Sequence, residues 1–341
     1  MQANLGEWYG GSLIRGNFIF KYQYLKYNYY IFNLNYKILL NKKIIYTVLL
    51  SLFLTSANSA DVIDNKINQK INELSDKTAE AITNFAENNF KNMKYLDFDI
   101  QVQEKLKPTF SIMSVSELLK IDSGTIFNQT SLNTYDDDET INIGFGVRKL
   151  LNDNKILIGS NLFYDHQFDK KHKRTGVGVE AISSVFDIRG NYYNAISGSK
   201  TTTDGSERAL DGWDTQLDYH LPGERDVNIF ANLFKFENPD KASTYKEKGT
   251  KFGANASLGN FIIEGGYLDD DQNNDAFFGS IKFVVKLGKS DSDSYKLKQA
   301  KKTRNYLEYT DVSDKLYQPV KRENKIRVVK ISKSGVKVGG F

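Results

Sequence analysis

Apolar and polar residues alternate with a period of two from about Tyr95 to Leu287. Thr140 to Arg148 reads TINIGFGVR: Ile141, Ile143, Phe145 and Val147 share one face, and Asn142, Gly144, Gly146 and Arg148 the other. This is strand periodicity. The same pattern recurs at Gly176–Ala181, Trp213–Leu221, Phe252–Leu258 and Phe277–Leu287. It predicts about twelve strands, near 96–106, 109–119, 124–134, 140–150, 155–166, 174–183, 185–196, 209–221, 227–237, 249–258, 261–269 and 276–287. Their lengths approach the roughly 9–11 residues with which a tilted strand crosses a bilayer. Short turns (Asn152-Asp153-Asn154, Ser183-Ser184) separate some of them, and long polar loops (Ile196–Arg208, Asn238–Lys248) separate others. The predicted fold is all-β, a transmembrane antiparallel β-barrel of about twelve strands, apolar outside and polar inside. A soluble sandwich or lipocalin-type barrel is the rival. It would not set glycine and ionised residues so regularly on its inner face.

Ahead of the strands the period changes. Ile63, Ile67, Ile71, Leu74, Thr78, Ile82 and Phe85 recur at spacings of three and four, predicting one amphipathic helix over 61–94. Residues 42–60 join Lys42-Lys43, a short apolar run from Ile44 to Leu54 and a small-residue stretch, the pattern of a secretory signal peptide cleaved near Ala60. The Tyr-rich residues 1–41 precede it; either the true start lies near Ile38 to Asn41, at a codon other than Met, or the signal has an extended leading region. The expected division is extension and signal peptide at 1–60, helix at 61–94, barrel at 95–288 and a basic tail at 289–341.

Charge sharpens that division. Residues 95–288 hold 21 basic and 29 acidic residues, whereas 289–341 hold 14 basic and 6 acidic ones. A basic tail after an acidic body is compatible with nucleic-acid binding or with docking of the tail on the body. Docking inside the pore is the expectation, with no nucleic acid as partner. Lys321, Arg322 and Arg327 are the linker candidates. Asn142, Arg148, Glu180, Arg189, Asp214 and Asp218 are the lumen-lining candidates, because alternation turns them inward. A charge is cheap in a wetted lumen but costs about 2–4 kcal/mol facing lipid at the bilayer midplane. Carboxylates such as Glu180, Asp214 and Asp218 would then meet the tail's cations.

Little points to catalysis or cofactors. The chain has no Cys and 3 His, which removes thiol chemistry and leaves His166, His172 and His220 as candidate bases. None stands in a nucleophile-elbow context. The acidic runs Asp136–Glu139 and Asp269–Asp271 lack Ca²⁺-loop spacing and read as solvated turns. Gly144-Phe-Gly146 and Gly176-Val-Gly178 lie within strands, so they are not phosphate loops. Such inward glycines either leave room for the tail or ease curvature. No enzyme activity, cofactor or metal is expected.

Several stretches have a family likeness. TINIGFGVR (140–148), IGSNLFYD (158–165), HKRTGVGVE (172–180), ERALDGWD (207–214), YHLP (219–222) and LYQPVKRENKI (316–326) follow in order. Together they resemble the strands and linker of inverse autotransporters, the intimin and invasin family, over about 75–330. The resemblance implies a twelve-stranded outer-membrane barrel with a periplasmic helix and a linker returning through the pore. It also implies a C-terminal passenger displayed outside to bind host cells. Barrel-assembly machinery and periplasmic chaperones are the implied partners, beside outer-membrane lipid. After Lys330 only ISKSGVKVGGF follows. The expectation is therefore a bacterial outer-membrane translocator or anchor that exports or displays a C-terminal segment. A separate passenger or host-surface ligand would be unidentified. The alternatives are a small porin plugged or gated by its tail, and an adhesin acting through its own loops.

Overall fold

The computed structural model describes residues 77–287 and 307–338, apart from 87, 105, 136–137, 204, 223–225, 241–242, 244, 273–274 and 333–334. The signal peptide, the residues before it and the helical pattern over 62–76 lie outside the described residues. The chain divides into two compact units, 1–78 and 79–341, and nearly all described residues belong to the second.

A helix, α1, covers 77–86 and 88–89. Its buried stripe is Ala79, Ile82 and Ala86, whereas Phe85 is exposed. Among the described positions the stripe thus differs from the expected Thr78, Ile82 and Phe85. The helix also stops earlier than expected. Phe90 N–H still donates to the Ala86 carbonyl at 2.6 Å, but Met93 already pairs with Ser116 as a strand.

Among the described residues, twelve strands close into one antiparallel barrel. They are β1 (Met93–Gln103), β2 (Thr109–Ile121), β3 (Gly124–Tyr135), β4 (Asp138–Leu151), β5 (Ile156–Gln167), β6 (Lys173–Ser183), β7 (Phe186–Ala195), β10 (Asp211–His220), β11 (Val227–Glu237), β12 (Lys246–Leu258), β13 (Phe261–Asp270) and β14 (Ala276–Lys286). Each coincides with one of the predicted alternating segments. β1 closes the ring on β14 through nine registered pairs, Tyr95↔Lys286 to Gln103↔Phe278. Closure matters because an unpaired strand edge has no water to bond in hydrocarbon.

Alternation sorts the two faces. Phe145, Val147, Leu162, Val177, Val179, Ile188, Trp213, Leu217, Leu233, Phe252 and Phe277 are exposed on the outside. The inner face buries Gln129, Asn142, Arg148, Asp165, Arg174, Glu180, Arg189 and Asp218. A protein with exposed aliphatics and buried charges is inside-out relative to a soluble one, as a bilayer requires.

The two ends differ. At one, short turns join the strands; Asn152, Asp153 and Asn154 all adopt left-handed backbone, with φ of 53°, 53° and 63°, which Asn and Asp tolerate. At the other end the connection between β7 and β10, expected as a polar loop, folds into a hairpin of β8 (Lys200–Thr202) and β9 (Gly205–Ala209). The tail adds β15 (Val328–Ser332) and β16 (Gly335–Val338), giving a four-stranded sheet in the order β16-β15-β9-β8.

Candidate functional site

The site is the barrel interior and the tail segment that threads it. Residues 307–327 run as a chain without strand, with a 3-10 turn at Ser313–Lys315. Their contacts progress from the short-turn end to the hairpin end. Thr310 N–H bonds to Ser184 Oγ (2.9 Å) and Val312 N–H to the Asn154 carbonyl (2.9 Å), both in turns. At the far end Leu210 N–H donates to the Arg327 carbonyl (3.0 Å), where the chain leaves for β15.

A chain threaded through a pore without a strand partner has backbone groups that need other partners. Wall side chains supply them. Gln129 accepts from Val320 N–H (2.7 Å), and Arg148 Nη1 donates to the carbonyls of Leu316 (2.9 Å) and Gln318 (2.5 Å). Asn191 donates to the Lys321 carbonyl (3.1 Å), Asn142 to Asn324 (2.9 Å), and Arg174 Nη2 to Glu323 (2.6 Å). Tyr193 OH accepts from Glu323 N–H (2.7 Å). These bonds place the chain without reading its side chains.

The tail's apolar side chains fill three collars. Val312 packs with Leu150, Leu157 and Ile182, joined by Leu316. Val320 sits with Tyr95, Val115, Phe127, Phe163 and Val284. Val329 sits with Tyr193, Leu210, Phe234, Phe236 and Leu268. The tail's charges lie between the collars. Lys315 Nζ donates to the Ser183 carbonyl (2.6 Å), approaches Asp187 (3.3 Å) and lies 2.9 Å from His220 Nε2. Lys321 pairs with Asp218 (2.7 Å). Arg322 grips Asp165 with both Nη atoms at 2.8 Å and lies over the Phe163 ring at 4.2 Å. Arg327 pairs with Glu247 and Glu323 and lies over Phe234 and Phe236 at 4.4 and 4.6 Å.

All six lumen-lining candidates are buried on the inner face, and all three linker candidates lie in the threading segment. The charge matching differs from expectation. Of Glu180, Asp214 and Asp218, Asp218 is the one seen to pair with a tail cation among the described residues. Glu180 is held by Arg148 (2.6 Å), with Arg189 3.9 Å away, both from the wall. Asp214 accepts from Asn191 (2.9 Å) and Tyr193. Arg189 bridges Asp187 (2.9 Å) and Asp218 (2.5 Å). Sequence reasoning missed Asp165, Arg174, Tyr193, Gln129 and Glu247. Asp165 had a signal, as the polar end of the inward row Asn161, Phe163, Asp165 in β5.

The inward glycines resolve individually. A Cβ on Gly144 would lie 2.3–2.5 Å from the Phe163 ring, and one on Gly176 would lie 3.0 Å from Arg322 Nη2. Gly144 makes room for a wall ring, Gly176 for the tail.

Two histidines join polar clusters. His172 is fully buried; its Nδ1 is 3.2 Å from Ser197 Oγ and its Nε2 3.0 Å from Glu207. Ser197 Oγ is itself occupied by Lys173 N–H (3.1 Å) and is buried, so a reacting carbonyl has no approach. His220 faces Asp187 at 3.0 Å. Among the described residues no group of His, Asp and Glu side chains is arranged to hold a metal ion. Beside the tail, a cavity of about 290 Å³ remains, lined by Asp97, Asp99, Glu264, Lys282 and Lys321 among others.

Comparison with known proteins follows the same lines. The family model for the inverse autotransporter β-domain matches residues 51–324. An attaching and effacing protein homolog of Escherichia coli (strain K12) is 35% identical over 100 residues, 28% of this chain and 34% of that protein. Invasin of Yersinia enterocolitica is 31% identical over 103 residues, 29% of this chain and 12% of invasin. The inverse autotransporter adhesin YeeJ of E. coli (strain K12) is 30% identical over 100 residues, 28% of this chain and 4% of YeeJ. The matched stretch thus spans between 4% and 34% of each relative's length. A solved structure reported under "Unveiling the Mechanism Behind the in-meso Crystallization of Membrane Proteins" superposes with a TM-score of 0.57 at 21% identity, over 71% of this chain and 100% of that one. That likeness supports the fold.

Proposed function

This chain belongs to the inverse autotransporter β-domain family and is a bacterial outer-membrane barrel, and from its threaded interior we propose that it works as a translocator and anchor. The mechanism is physical and non-catalytic. The barrel crosses the outer membrane, its short-turn end in the periplasm and its hairpin end outside. An unfolded C-terminal segment passes through the polar lumen, and residues 307–327 then stay behind as the plug and tether. Barrel-assembly machinery and periplasmic chaperones are the partners such a barrel requires for insertion. What the relatives' names say of adhesion or invasion would reach this chain only through a displayed segment, attached or separate.

The observation that carries this reading is the continuous thread. Backbone bonds from Ser184, Gln129, Arg148, Asn191, Asn142 and Arg174 mark the full path of one chain from end to end. A tail that only capped one mouth would not need partners at every level. The cavity beside the tail favours, as a second reading, a porin that leaks around its plug.

The test places a protease site after Tyr317 in the full chain, reconstituted in liposomes. The threaded chain should resist cleavage, and deletion of 296–330 should open an ion-conducting pore. Rapid cleavage with unchanged conductance on deletion would overturn the plug. Sustained conductance by the intact chain would favour the porin.

A further inference from the structure

The β8–β9 hairpin has no role in crossing the membrane, yet it is firmly built. His172 links the β5–β6 connection to Glu207 of β9 at 3.0 Å, and Ser197 accepts the Lys173 N–H at 3.1 Å. Ile196 N–H bonds to the Lys173 carbonyl (3.0 Å), and Ala195 N–H to Asp211 Oδ1 (2.7 Å). None of these bonds involves the tail. β8 covers one edge of β9 through Lys200↔Glu207, Thr201↔Ser206 and Thr202↔Gly205. Taking β15 away would leave the other edge of β9 open at the mouth of the pore.

The register has a direction. Val328, the first residue of β15, pairs with Ala209, next to the barrel rim. Ser332, the last, pairs with Gly205 at the hairpin tip. A chain sliding outward would therefore meet the rim end of β9 first and zip toward the tip. Main-chain pairing of this kind recognises an extended segment with little regard to sequence. Val328, Val329 and Ile331 favour the strand conformation it needs. β16 then folds back on β15 through Val329↔Val338 to Ser332↔Gly335. A lone hairpin is marginal in water, whereas more strands with a packed face are stable, and Val329 supplies such a contact in the mouth collar.

We propose that β9 is a strand-capture site for the segment leaving the pore: it pairs with residues 328–332 as they emerge, hinders their return and templates the first fold outside. The proposal rests on the translocator reading and adds the acceptor edge and its register.

The experiment uses the full chain with an epitope after Phe341, expressed in the outer membrane of a Gram-negative host. The protein has no Cys, so Ser206→Cys with Ile331→Cys reports the registered pair. That double variant should cross-link in the displayed protein, while Ser206→Cys with Val329→Cys should not. Ile331→Pro removes a backbone donor from β15 outside the barrel, and should slow surface appearance of the epitope about five-fold, as loss of one net hydrogen bond implies. Ile331→Thr, which keeps the donor, should run at the parental rate. An epitope that reaches the surface equally fast in Ile331→Pro, or equal cross-linking in both cysteine pairs, would overturn strand capture and leave export standing. An epitope that never reaches the surface in the parent would overturn export, and strand capture with it.

Discussion

Arg322 of the threading tail and Asp165 of β5 meet face to face, Nη1 to Oδ1 and Nη2 to Oδ2, both at 2.8 Å. Asp165 also receives Arg174 Nε at 2.8 Å, so one carboxylate serves two buried guanidinium groups. The two deletions are therefore unequal. Arg322→Ala leaves Asp165 with Arg174 and Asn142. Asp165→Ala strands two buried cations, and breaking such a pair from one side costs about 3–5 kcal/mol. Asp165→Ala should lower unfolding stability in detergent by that order, and Arg322→Ala by clearly less. Equal losses in urea titrations of the two variants would contradict this geometry.

The second prediction concerns the lipid face. Val179 lies midway along β6 and is 64% exposed. Arginine there would sit in hydrocarbon, at a cost of about 2–4 kcal/mol near the midplane. Val179→Arg should destabilise the liposome-inserted barrel by that amount, measured by reversible unfolding from the bilayer. Val179→Leu should be near neutral. A mild arginine effect would mean that β6 is turned the wrong way.

A third prediction separates two inward glycines. The Gly144 Cβ would strike the Phe163 ring, which packs under Arg322 and cannot move without disturbing it. The Gly176 Cβ would come 3.0 Å from Arg322 Nη2 and 3.4 Å from the Tyr193 ring, a milder overlap than the 2.3–2.5 Å at Gly144. Overpacking a closed site costs about 1–3 kcal/mol. Gly144→Ala should lose stability in that range and Gly176→Ala little, in the same unfolding assay. Conductance should rise more in the first if the displaced ring loosens the tail.

The strands were legible because their period is local. Residues such as Ile143 and Asn142 declare opposite faces within a few positions. The pairing of side chains was not legible, because register and closure decide it. Glu180 finds Arg148 rather than a tail lysine because β5 stands between β4 and β6 and sets Gly159 between Arg148 and Glu180. The long stretch Ile196–Arg208 looked like a polar loop because β8 and β9 are short and carry Ser, Thr and charge. β15 was hidden for the opposite reason. Its partner lies more than a hundred residues earlier, and nothing local to VVKIS points there. The tail's path through the pore was visible only through family likeness and charge balance, and its apolar collars at Val312, Val320 and Val329 were not visible at all.

The last prediction is a pH dependence at the hairpin end. Burial alone would raise the Glu207 carboxyl, but the His172 hydrogen bond and charge, with Lys330 and Lys170 nearby, hold it below its ordinary value of 4.5. A carboxyl depressed in the folded state adds stability above its unfolded value, and that contribution is lost as pH falls through the folded one. The carboxylate's contribution to attachment of the hairpin should therefore be complete above about 4.5 and weaken below it. Hydrogen-exchange protection of 205–209, corrected for the intrinsic rate at each pH, gives the measurement. Glu207→Gln should remove the acid-side fall and lower protection at neutral pH, because the amide keeps the shape without the charge. Barrel strands such as β6 should keep their protection across the same range, since their bonds do not pass through Glu207. If protection instead stayed level as the pH fell below 4.5, the Glu207 carboxylate would not be what holds the hairpin.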